Sequence, residues 1–372
     1  MHILLIPSWY PSKKEPFSGN FVKRHAELIA QNHQVTVLNF VSDSTKEIHF
    51  EETQTGNLFE ISIYYPKKNN KIIQVLALRR AFLKVAKKIK NVDLIHGHVI
   101  LEKGLLFIWA KNYFKKRLFV TEHGSYFFRE NYGKLSTFQK MTIIQTMKNC
   151  DYLSCVSEVL KDEIAYLFPH KKIVLTPNSI DSEVFNIGTS TGSVSQNEEI
   201  NFIHISTLDQ VKNPIKIIQA FEDLSEETNH QFSLKIIAEK SNLEVISYLE
   251  KSKIKDKISL LGPLQIEEVA EELKKSDALV MLSNFETFSC VIAEAWSCGI
   301  PVISTSVGIA KNMHSDFGVL VKNTESEALT ICLNEFMEAK KVYDKKKIRT
   351  FALQFSKEHV LKSFDEFYAQ KK

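Results

Sequence analysis

The sequence lacks the features that mark membrane-spanning, secreted or disulfide-rich proteins. No stretch approaches the roughly 20 uninterrupted apolar residues of a transmembrane helix. The opening MHILLIP has neither a cationic leader nor a small-residue cleavage site, so we expect no secretory signal peptide. Five cysteines occur, an odd number without the spacing of a zinc site. These absences favour a cytoplasmic protein with reduced thiols.

Glycine is scarce, with 12 in 372 residues, so the glycines at strand-to-helix turns carry more weight. A chain of this length is too long for one hydrophobic core and indicates two domains. Its charge is uneven: residues 1–176 carry 26 basic and 15 acidic side chains, within a net charge of +4 overall. The basic excess indicates either an anionic partner, such as a membrane surface or nucleic acid, or simply a solvated basic surface.

Apolar periodicity predicts an α/β fold. Strand-like segments such as HILLIP and DLIHGH alternate with amphipathic helical segments such as GNFVKRHAELIAQ. This alternation is typical of doubly wound parallel sheets with right-handed crossovers.

The alternation stops at a segment rich in Ser, Thr, Asn and Gly and then restarts, which indicates two Rossmann-like domains joined by a linker. We predict a first domain over 1–176, a linker over 177–199 and a second domain over 200–350. A terminal helical segment, 351–372, is expected to pack back on the first domain.

The most informative stretch, DALVMLSNFETFSCVIAEAWSCGIPVISTSVG, reads as strand, loop, helix, turn and strand. Glu286 lies in the loop and Glu294 inside the helix. Ligands of such sheets bind beyond the carboxyl ends of the strands, where helix N-termini attract anions. The pattern suits a nucleotide-sugar, with helix dipoles for the phosphates and a carboxylate for vicinal hydroxyls. Without the other motifs, capping and solvation would be the better explanation of two glutamates at a helix start.

Three histidines lie in or directly at the end of predicted strands of the first domain. His96 and His98 alternate in DLIHGH and therefore share one face of a strand, a placement that could suit a metal. No third ligand is apparent nearby in the sequence, so no metal site is predicted. His123, in TEHGS, ends another strand, where it could hydrogen-bond a sugar hydroxyl.

Several blocks, in order along the chain, resemble the retaining glycosyltransferases of family four. They are PSWYPSKKEPFSGNFVKRHAELI, DLIHGH, VTEHGS, CDYLSCVSEVLKDEI, VLTPNSIDSEVF and NFETFSCVIAEAWSCGIPVIST. The two glutamates separated by seven residues, followed by CGIPV, form the most specific of these. The resemblance covers essentially the whole chain and implies the GT-B fold, in which two Rossmann-like domains place the active site in the cleft between them.

The resemblance also implies roles for individual residues. His123, Lys212 and Glu286 would be the catalytic residues, with Lys212 on the diphosphate, Glu286 on the donor sugar and His123 beside the reacting centre. The remaining donor contacts would be Gly19, Phe288, Ser289, Cys290, Val291 and Glu294, with Glu294 accepting from the ribose hydroxyls. His98 and Asn20 are candidates on the acceptor side. The resemblance implies no cofactor and no obligatory metal.

Five positions depart from the family pattern. Thr207 stands where the family usually has a second cation for the diphosphate, and Asn312 stands near the position of a common glutamate. Ser179, Ala238 and Ile309 replace common glycines. Either another basic residue substitutes at the diphosphate, or leaving-group stabilisation is weaker, or catalysis has been lost.

The segment KIIQVLALRRAFLKVAKKIK resembles a membrane-surface helix. Its cations Arg79, Arg80, Lys84, Lys87 and Lys88 could contact anionic lipid. The alternative is an ordinary domain helix with its apolar stripe in the core.

Together these features predict a retaining glycosyltransferase that moves a sugar from a nucleotide-diphosphate donor to a glycan or lipid-linked acceptor. A role in bacterial capsule or O-antigen synthesis is expected, in the cytoplasm and on the inner face of the plasma membrane. Alternatives are a catalytically weak nucleotide-sugar-binding subunit and a nucleotide-sugar 2-epimerase. Nucleic-acid binding is disfavoured, because the basic excess lacks interleaved aromatics or a reader motif.

Overall fold

The computed structural model describes residues 1–16, 18–101, 103–188, 199–238, 240–338 and 343–370. The chain forms two compact domains. The first domain consists of Met1–Ser179 and Val360–Lys372, and the second of Ile180–His359. Residues 189–198 of the expected linker lie outside the described residues.

The first domain is built on a sheet with the strand order β3-β4-β2-β1-β5-β6-β7-β8. Neighbouring strands are parallel, except that β3 is antiparallel to β4. Its elements are β1 (His2–Pro7), α1 (Asn20–Ile29), β2 (Gln34–Asp43), β3 (His49–Thr55), β4 (Leu58–Pro66), α2 (Lys71–Ala86), β5 (Leu94–His98), α3 (Gly104–Phe114), β6 (Arg117–Glu122), α4 (Arg129–Lys134), α5 (Thr137–Asn149), β7 (Tyr152–Cys155), α6 (Glu158–Leu167) and β8 (Ile173–Leu175).

The second domain has a parallel sheet with the order β11-β10-β9-β12-β13-β14. Its elements are β9 (Glu199–Ser206), α7 (Pro214–Glu227), β10 (Gln231–Ala238), α8 (Leu243–Lys251), β11 (Ile258–Leu261), α9 (Ile266–Lys274), β12 (Ala278–Met281), α10 (Cys290–Ser297), β13 (Val302–Thr305), β14 (Gly318–Val321), α11 (Ser326–Glu338) and α12 (Lys345–Ala352). The last helix, α13 (Lys357–Tyr368), belongs to the first domain from Val360 onwards. The doubly wound α/β architecture that the sequence predicts is therefore present in both domains.

The strand β3 is a feature that apolar periodicity does not reveal. Its sequence, HFEETQT, is polar and mostly exposed, and it pairs on one side only, with β4. The reversal between the two strands passes through Gly56, whose φ of 57° lies in the left-handed region that favours glycine. A polar edge strand of this kind discourages pairing with other chains, and it carries little hydrophobic signal.

The domain boundaries differ from those expected from sequence. The break falls after Ser179 rather than 176, and the described residues up to Gly188 belong to the second domain. At the other end, Phe351 stacks on Phe317 with ring centroids 4.3 Å apart, which holds this part of the terminal segment in the second domain. From Val360 the segment does pack in the first domain, where Val360, Phe364 and Phe367 are buried in its core.

Two further findings concern the whole described chain. No helix in the described segments is both long and apolar enough to cross a bilayer. All five cysteines lie in described segments, and none of them forms a disulfide.

Candidate functional site

The strand order of the second domain indicates where a ligand would bind. Taken in sequence order within the domain, the strands run 3-2-1-4-5-6, and the order reverses between β9 and β12. Ligands of doubly wound sheets bind beyond the carboxyl ends of the strands at such a reversal. The loops at this point are residues 207–213, after β9, and 282–289, after β12.

These two loops bring Lys212 and Glu286 together. The Lys212 ammonium donates to Glu286 Oε1, and the Ser283 hydroxyl donates to the same oxygen at 3.0 Å. The side chains are 19% and 12% exposed, so the pair is shielded on most sides yet reachable from solvent. The sequence places both residues at this sheet edge, but the contact between them is a structural finding. It places a cation and an anion side by side at the sheet edge where ligands of doubly wound sheets bind.

Hydrogen bonds between the loops hold this pair in place. Asn213 Nδ2 donates to the Leu282 carbonyl at 2.8 Å, and the backbone N–H of Asn284 donates to the Val211 carbonyl at 2.8 Å. Leu208 and Asn213 both have positive φ angles, of 54° and 50°. Non-glycine residues in this conformation are uncommon and cluster at functional sites, where the surrounding contacts enforce them.

Helix α10 begins directly after the second loop. Its N-cap, Ser289, has a φ of 72° and its side chain makes no capping hydrogen bond. The amides of the first turn, beginning at Cys290 and Val291, are therefore not capped by that side chain and carry the positive end of the helix dipole. Glu294 lies about one turn further along and is 7% exposed. The predicted arrangement, with Glu286 in the loop and Glu294 within the helix, is confirmed.

Phe288, in the loop that carries Glu286, helps to hold that loop through its ring and its backbone carbonyl. Its ring is buried and packs edge-on against Phe355, with centroids 5.3 Å apart. Its carbonyl accepts a hydrogen bond from the Ile309 amide at 2.9 Å. The neighbouring Gly308 has a φ of 51°, and a Cβ there would lie 2.3 Å from the Phe288 carbonyl oxygen. The loop that carries Glu286 thus packs against a turn that only glycine fits.

The departures from the family pattern have distinct surroundings. The Thr207 hydroxyl donates to Asp209 Oδ2 at 2.7 Å, and Asp209 Oδ1 accepts from the Val211 amide. Thr207 therefore helps to fix the conformation of the loop 207–213, which carries Lys212, and it adds no positive charge there. Asn312 is exposed with a φ of 61°, and Ala238 is buried at the end of β10.

The first domain has a similar reversal between β1 and β5. Gly19 ends the loop after β1 and caps α1 with a φ of 66°. A Cβ at this position would lie 2.3 Å from the carbonyl carbon of Trp9, so a close backbone approach requires glycine here. Asn20, the first residue of α1, is exposed. Gly19 and Asn20 therefore both lie at the carboxyl edge of this sheet, where α1 begins.

The predicted site residues His98 and His123 lie side by side at the same edge. His98 Nδ1 and His123 Nε2 are 3.1 Å apart in a hydrogen bond. His25, on the buried face of α1, completes the group, with its ring centroid 5.4 Å from that of His123 and 5.7 Å from that of His98. Burial lowers the pKa of His98 and His123 well below the usual range and that of His25 to about 3, so the rings are neutral at pH 7.

His96 has a structural role. Its Nδ1 bonds the Tyr368 hydroxyl at 2.8 Å, and its Nε2 bonds Thr121 Oγ1 at 2.7 Å. Both ring nitrogens are satisfied inside the core. The rings of His96 and His98 are 4.1 Å apart, which confirms that the two residues share a strand face.

Sequence reasoning does not single out His25 or Glu122. Glu122 is fully buried beside His123, and burial raises its pKa to about 7, although Tyr126 and the Ile100 amide donate hydrogen bonds to it. Val99, which follows His98, has a φ of 64°, a rare conformation for a β-branched residue. A signal for Glu122 was present in sequence, because a carboxylate directly precedes the strand-end histidine in TEHGS.

The cationic segment forms α2 only as far as Ala86, so Lys87 and Lys88 lie beyond the helix, and Lys88 pairs with Glu52. The helix has two different faces. Leu78, Ala81, Phe82 and Val85 are buried, as expected of a domain helix. Its first two turns nevertheless expose Ile72, Ile73 and Leu76, at 73%, 50% and 50%. Arg79 and Arg80 are exposed next to these apolar side chains.

Comparison with known proteins agrees with the geometry. The family described as glycosyl transferases group 1 matches residues 190–350, and the family described as glycosyltransferase family 4 matches residues 20–184. The N-acetyl-alpha-D-glucosaminyl L-malate synthase of Bacillus anthracis is 30% identical over 285 residues, which are 73% of this chain and 70% of that protein.

Two solved structures share the fold across both domains. Sucrose-phosphate synthase from Thermosynechococcus elongatus has a TM-score of 0.76 at 16% identity, covering 99% of this chain and 98% of that one. Anabaena HepE, in complex with UDP and glucose, has a TM-score of 0.74 at 15% identity, covering 99% of each chain. The chain therefore has the GT-B fold and belongs to the group 1, family 4 glycosyltransferases, enzymes that use nucleotide-sugar donors.

Proposed function

We propose that this glycosyltransferase moves a sugar from a nucleotide-diphosphate donor to a glycan or lipid-linked acceptor with retention of anomeric configuration. The proposed setting is the assembly of a bacterial surface polysaccharide such as a capsule or O-antigen. The observation that carries the donor part is the pair of Lys212 and Glu286 at the strand reversal of the second domain, beside the start of α10.

The leaving diphosphate would be stabilised from the second domain. The Lys212 ammonium and the first amides of α10 supply positive charge, and such preorganised groups stabilise charge that develops in the transition state. Glu286, which already accepts from Lys212 and Ser283, would accept from donor-sugar hydroxyls with its remaining lone pairs. Glu294, one turn further along α10, would accept from the ribose hydroxyls.

The first domain would supply the groups around the reacting carbon. The neutral His123 ring would contact the donor sugar, and the Gly19 backbone would approach the diphosphate. His98 and Asn20 would contact the acceptor. No nucleophile and no metal or other cofactor is assigned to the transfer, which accords with attack by the acceptor on the face from which the diphosphate leaves. The named product of the Bacillus anthracis relative is an L-malate glycoside, so small hydroxy acids belong in any acceptor screen.

The donor assignment can be tested by thermal shift against a panel of nucleotide-sugars. The cognate donor should raise the melting temperature of the wild-type protein, and Lys212→Ala and Glu294→Ala should abolish most of that rise. Lys216→Ala is the matched control, because Lys216 is a partly exposed lysine of the same domain paired with Glu325. Unchanged donor affinity in both site variants would contradict the assignment.

Product analysis with the cognate donor separates the remaining alternatives. Transfer predicts a glycoside whose anomeric configuration, read by NMR, matches that of the donor. A free epimer would instead identify a 2-epimerase. Donor binding without turnover across a broad acceptor panel would favour a binding subunit. The absence of a cation at Thr207 would then explain the lack of turnover.

The proposal includes docking of the first domain on an anionic bilayer through α2. A groove of about 490 Å³ beside this helix is lined by Ile73 and Leu76 together with Lys46, Lys68, Arg80 and Lys84. Apolar side chains next to cations suit insertion between anionic headgroups. Lipid-linked acceptors would be met at such a surface.

Vesicle sedimentation tests this docking. Vesicles containing phosphatidylglycerol should bind the protein, and added salt should weaken the binding, because the attraction between lysines and headgroups is screened. Ile72→Ser combined with Leu76→Ser should reduce binding, whereas Leu243→Ser, at an exposed leucine of the second domain, should not. Equal binding to uncharged vesicles would rule out this surface as an anionic-lipid site.

A further inference from the structure

We propose that His25, His98 and His123 form a binding site for a divalent transition metal of the Zn²⁺ class. Each residue comes from a different segment, namely α1, the end of β5 and the residue after β6. All three are buried, and one ring nitrogen from each lies within 4.8 Å of the other two.

This histidine triad (His25, His98 and His123) contains buried ring nitrogens that make no hydrogen bond. Both nitrogens of His25 and Nε2 of His98 have no hydrogen-bonding partner among the described residues, and the Asn178 side chain lies close enough to His123 to affect its pKa. The Pro177 carbonyl lies near the His25 ring, close enough to affect its pKa but outside good hydrogen-bonding geometry. Buried polar atoms without partners are costly, so such a cluster points to a small occupant. His96, in contact with the same cluster, has both nitrogens bonded and serves as an internal comparison.

The donor set favours one class of ion. Three imidazoles are typical ligands of Zn²⁺ and neighbouring transition metals, whereas Mg²⁺ and Ca²⁺ prefer oxygen ligands. Nitrogen ligands of a tetrahedral Zn²⁺ lie about 3.4 Å apart, given bonds of about 2.05 Å. His98 Nδ1 and His123 Nε2 already lie 3.1 Å apart, near that spacing, and coordination through these two atoms would replace the hydrogen bond that now joins them. The widest separation, up to 4.8 Å, would have to shrink by about 1.4 Å on binding.

Binding would join three segments that are far apart in sequence. A ligand that binds only the folded state stabilises it, so the metal should raise the melting temperature of the protein. The neutral rings can coordinate without first losing a proton, and each keeps its one remaining proton on the nitrogen that does not bind. The alternative occupant is a buried water that bridges the same nitrogens.

The test uses the full chain with any affinity tag removed and metals stripped by a chelator. Calorimetric titration with Zn²⁺ and visible absorption with Co²⁺ should both report one ion per chain, whereas Mg²⁺ should give no signal. His25→Ala should weaken binding by at least about tenfold and remove the Zn²⁺-dependent rise in melting temperature. His170→Ala, at an exposed histidine of the same domain, should leave both unchanged.

If His25→Ala fails to fold by circular dichroism, His98→Gln takes its place with the same expected losses. An absence of stoichiometric binding would overturn the proposal and leave bridging water as the occupant. Binding that survives in the folded triad variants would also overturn it, since surface histidines would then hold the ion. Neither donor nor acceptor is present in this experiment, so its failure is distinct from failure of the proposed transfer reaction. Its success would assign His98 and His123 to the metal in place of the substrate contacts proposed above.

Discussion

The two domains place their candidate sites at the same topological position but build them from opposite chemistry. In the second domain the reversal between β9 and β12 presents an ion pair and a helix start. In the first domain the reversal between β1 and β5 presents a glycine turn and buried neutral histidines. The shared backbone therefore determines where a site lies, and the side chains determine what it can recognise.

The net charge of each half does not describe its site. The first half carries the excess of basic residues, yet its predicted site is a group of uncharged rings and the cations lie on surfaces such as α2. The second half has an acidic excess, yet it holds the lysine proposed to bind the diphosphate. The net charge of a half indicates what its surface can attract, whereas the chemistry of a site depends on the few side chains that form it.

The largest expected difference between the domains is their response to acid. Burial lowers the pKa of His25 and His96 to about 3, from an unfolded value near 6.5. The unfolded state then binds more protons, so the stability that these neutral rings contribute is complete above pH 6.5 and declines as pH falls toward 3. At pH 5 the contribution of each ring to the free energy of unfolding would be lower by about 2 kcal/mol than at neutral pH.

In the first domain this loss applies to four buried histidines, including His98 and His123, whereas in the second it applies to His204. Glu122 partly opposes it, because its raised pKa favours the folded state as pH falls from 7 to 4.5. Hydrogen exchange of metal-free protein at pH 7 and pH 5 should therefore show the first domain opening first. Earlier opening of the second domain would contradict this account.

The next effect concerns the ion pair. Glu286→Gln keeps the shape of the side chain but removes the charge that holds the Lys212 ammonium and accepts from the sugar. We expect kcat/KM to fall by about 10²-fold, the scale reported for losing one preorganised electrostatic contact. Steady-state kinetics with the cognate donor measures this, with Glu325→Gln as control because Glu325 forms an exposed pair with Lys216. A fall below threefold would mean that the pair serves only the fold.

The smallest effects are expected at the two glycine turns. Gly19→Ala and Gly308→Ala place a Cβ 2.3 Å from backbone atoms at positive φ, so each should lower the free energy of unfolding by about 1–3 kcal/mol. Gly133→Ala and Gly262→Ala are matched controls in the two domains, because a Cβ there meets nothing within 4 Å. Chemical denaturation compares all four. Equal costs at the turns and the controls would show that the turns can relax.

Much of the second-domain site could be predicted from sequence, because its strands and helices are strongly periodic and its loops are short. The positions of Lys212 at a sheet edge, Glu286 in a loop and Glu294 in a helix followed from that pattern. The contact between Lys212 and Glu286 could not be predicted, since it depends on β9 and β12 being neighbours.

Other features could not be predicted for equally physical reasons. The third histidine of the triad, His25, lies on a helix far from His98 in sequence, so a search for nearby ligands missed it. The hydroxyl of Thr207 bonds Asp209, which shows a structural use for a residue known from sequence only as a missing cation. The boundary near residue 360 depends on ring stacking of Phe351 in one domain and burial of Phe364 in the other.

The return of α13 to the first domain has a consequence for synthesis on the ribosome. Val360, Phe364, Phe367 and Tyr368 complete a core that begins with β1, and Tyr368 also supplies a partner for His96. Most of the first domain is therefore translated before the second domain, but its core cannot be completed until α13 has emerged. The second domain, contained in one continuous segment, is free to fold earlier, so the nascent first domain would depend on chaperones for longest.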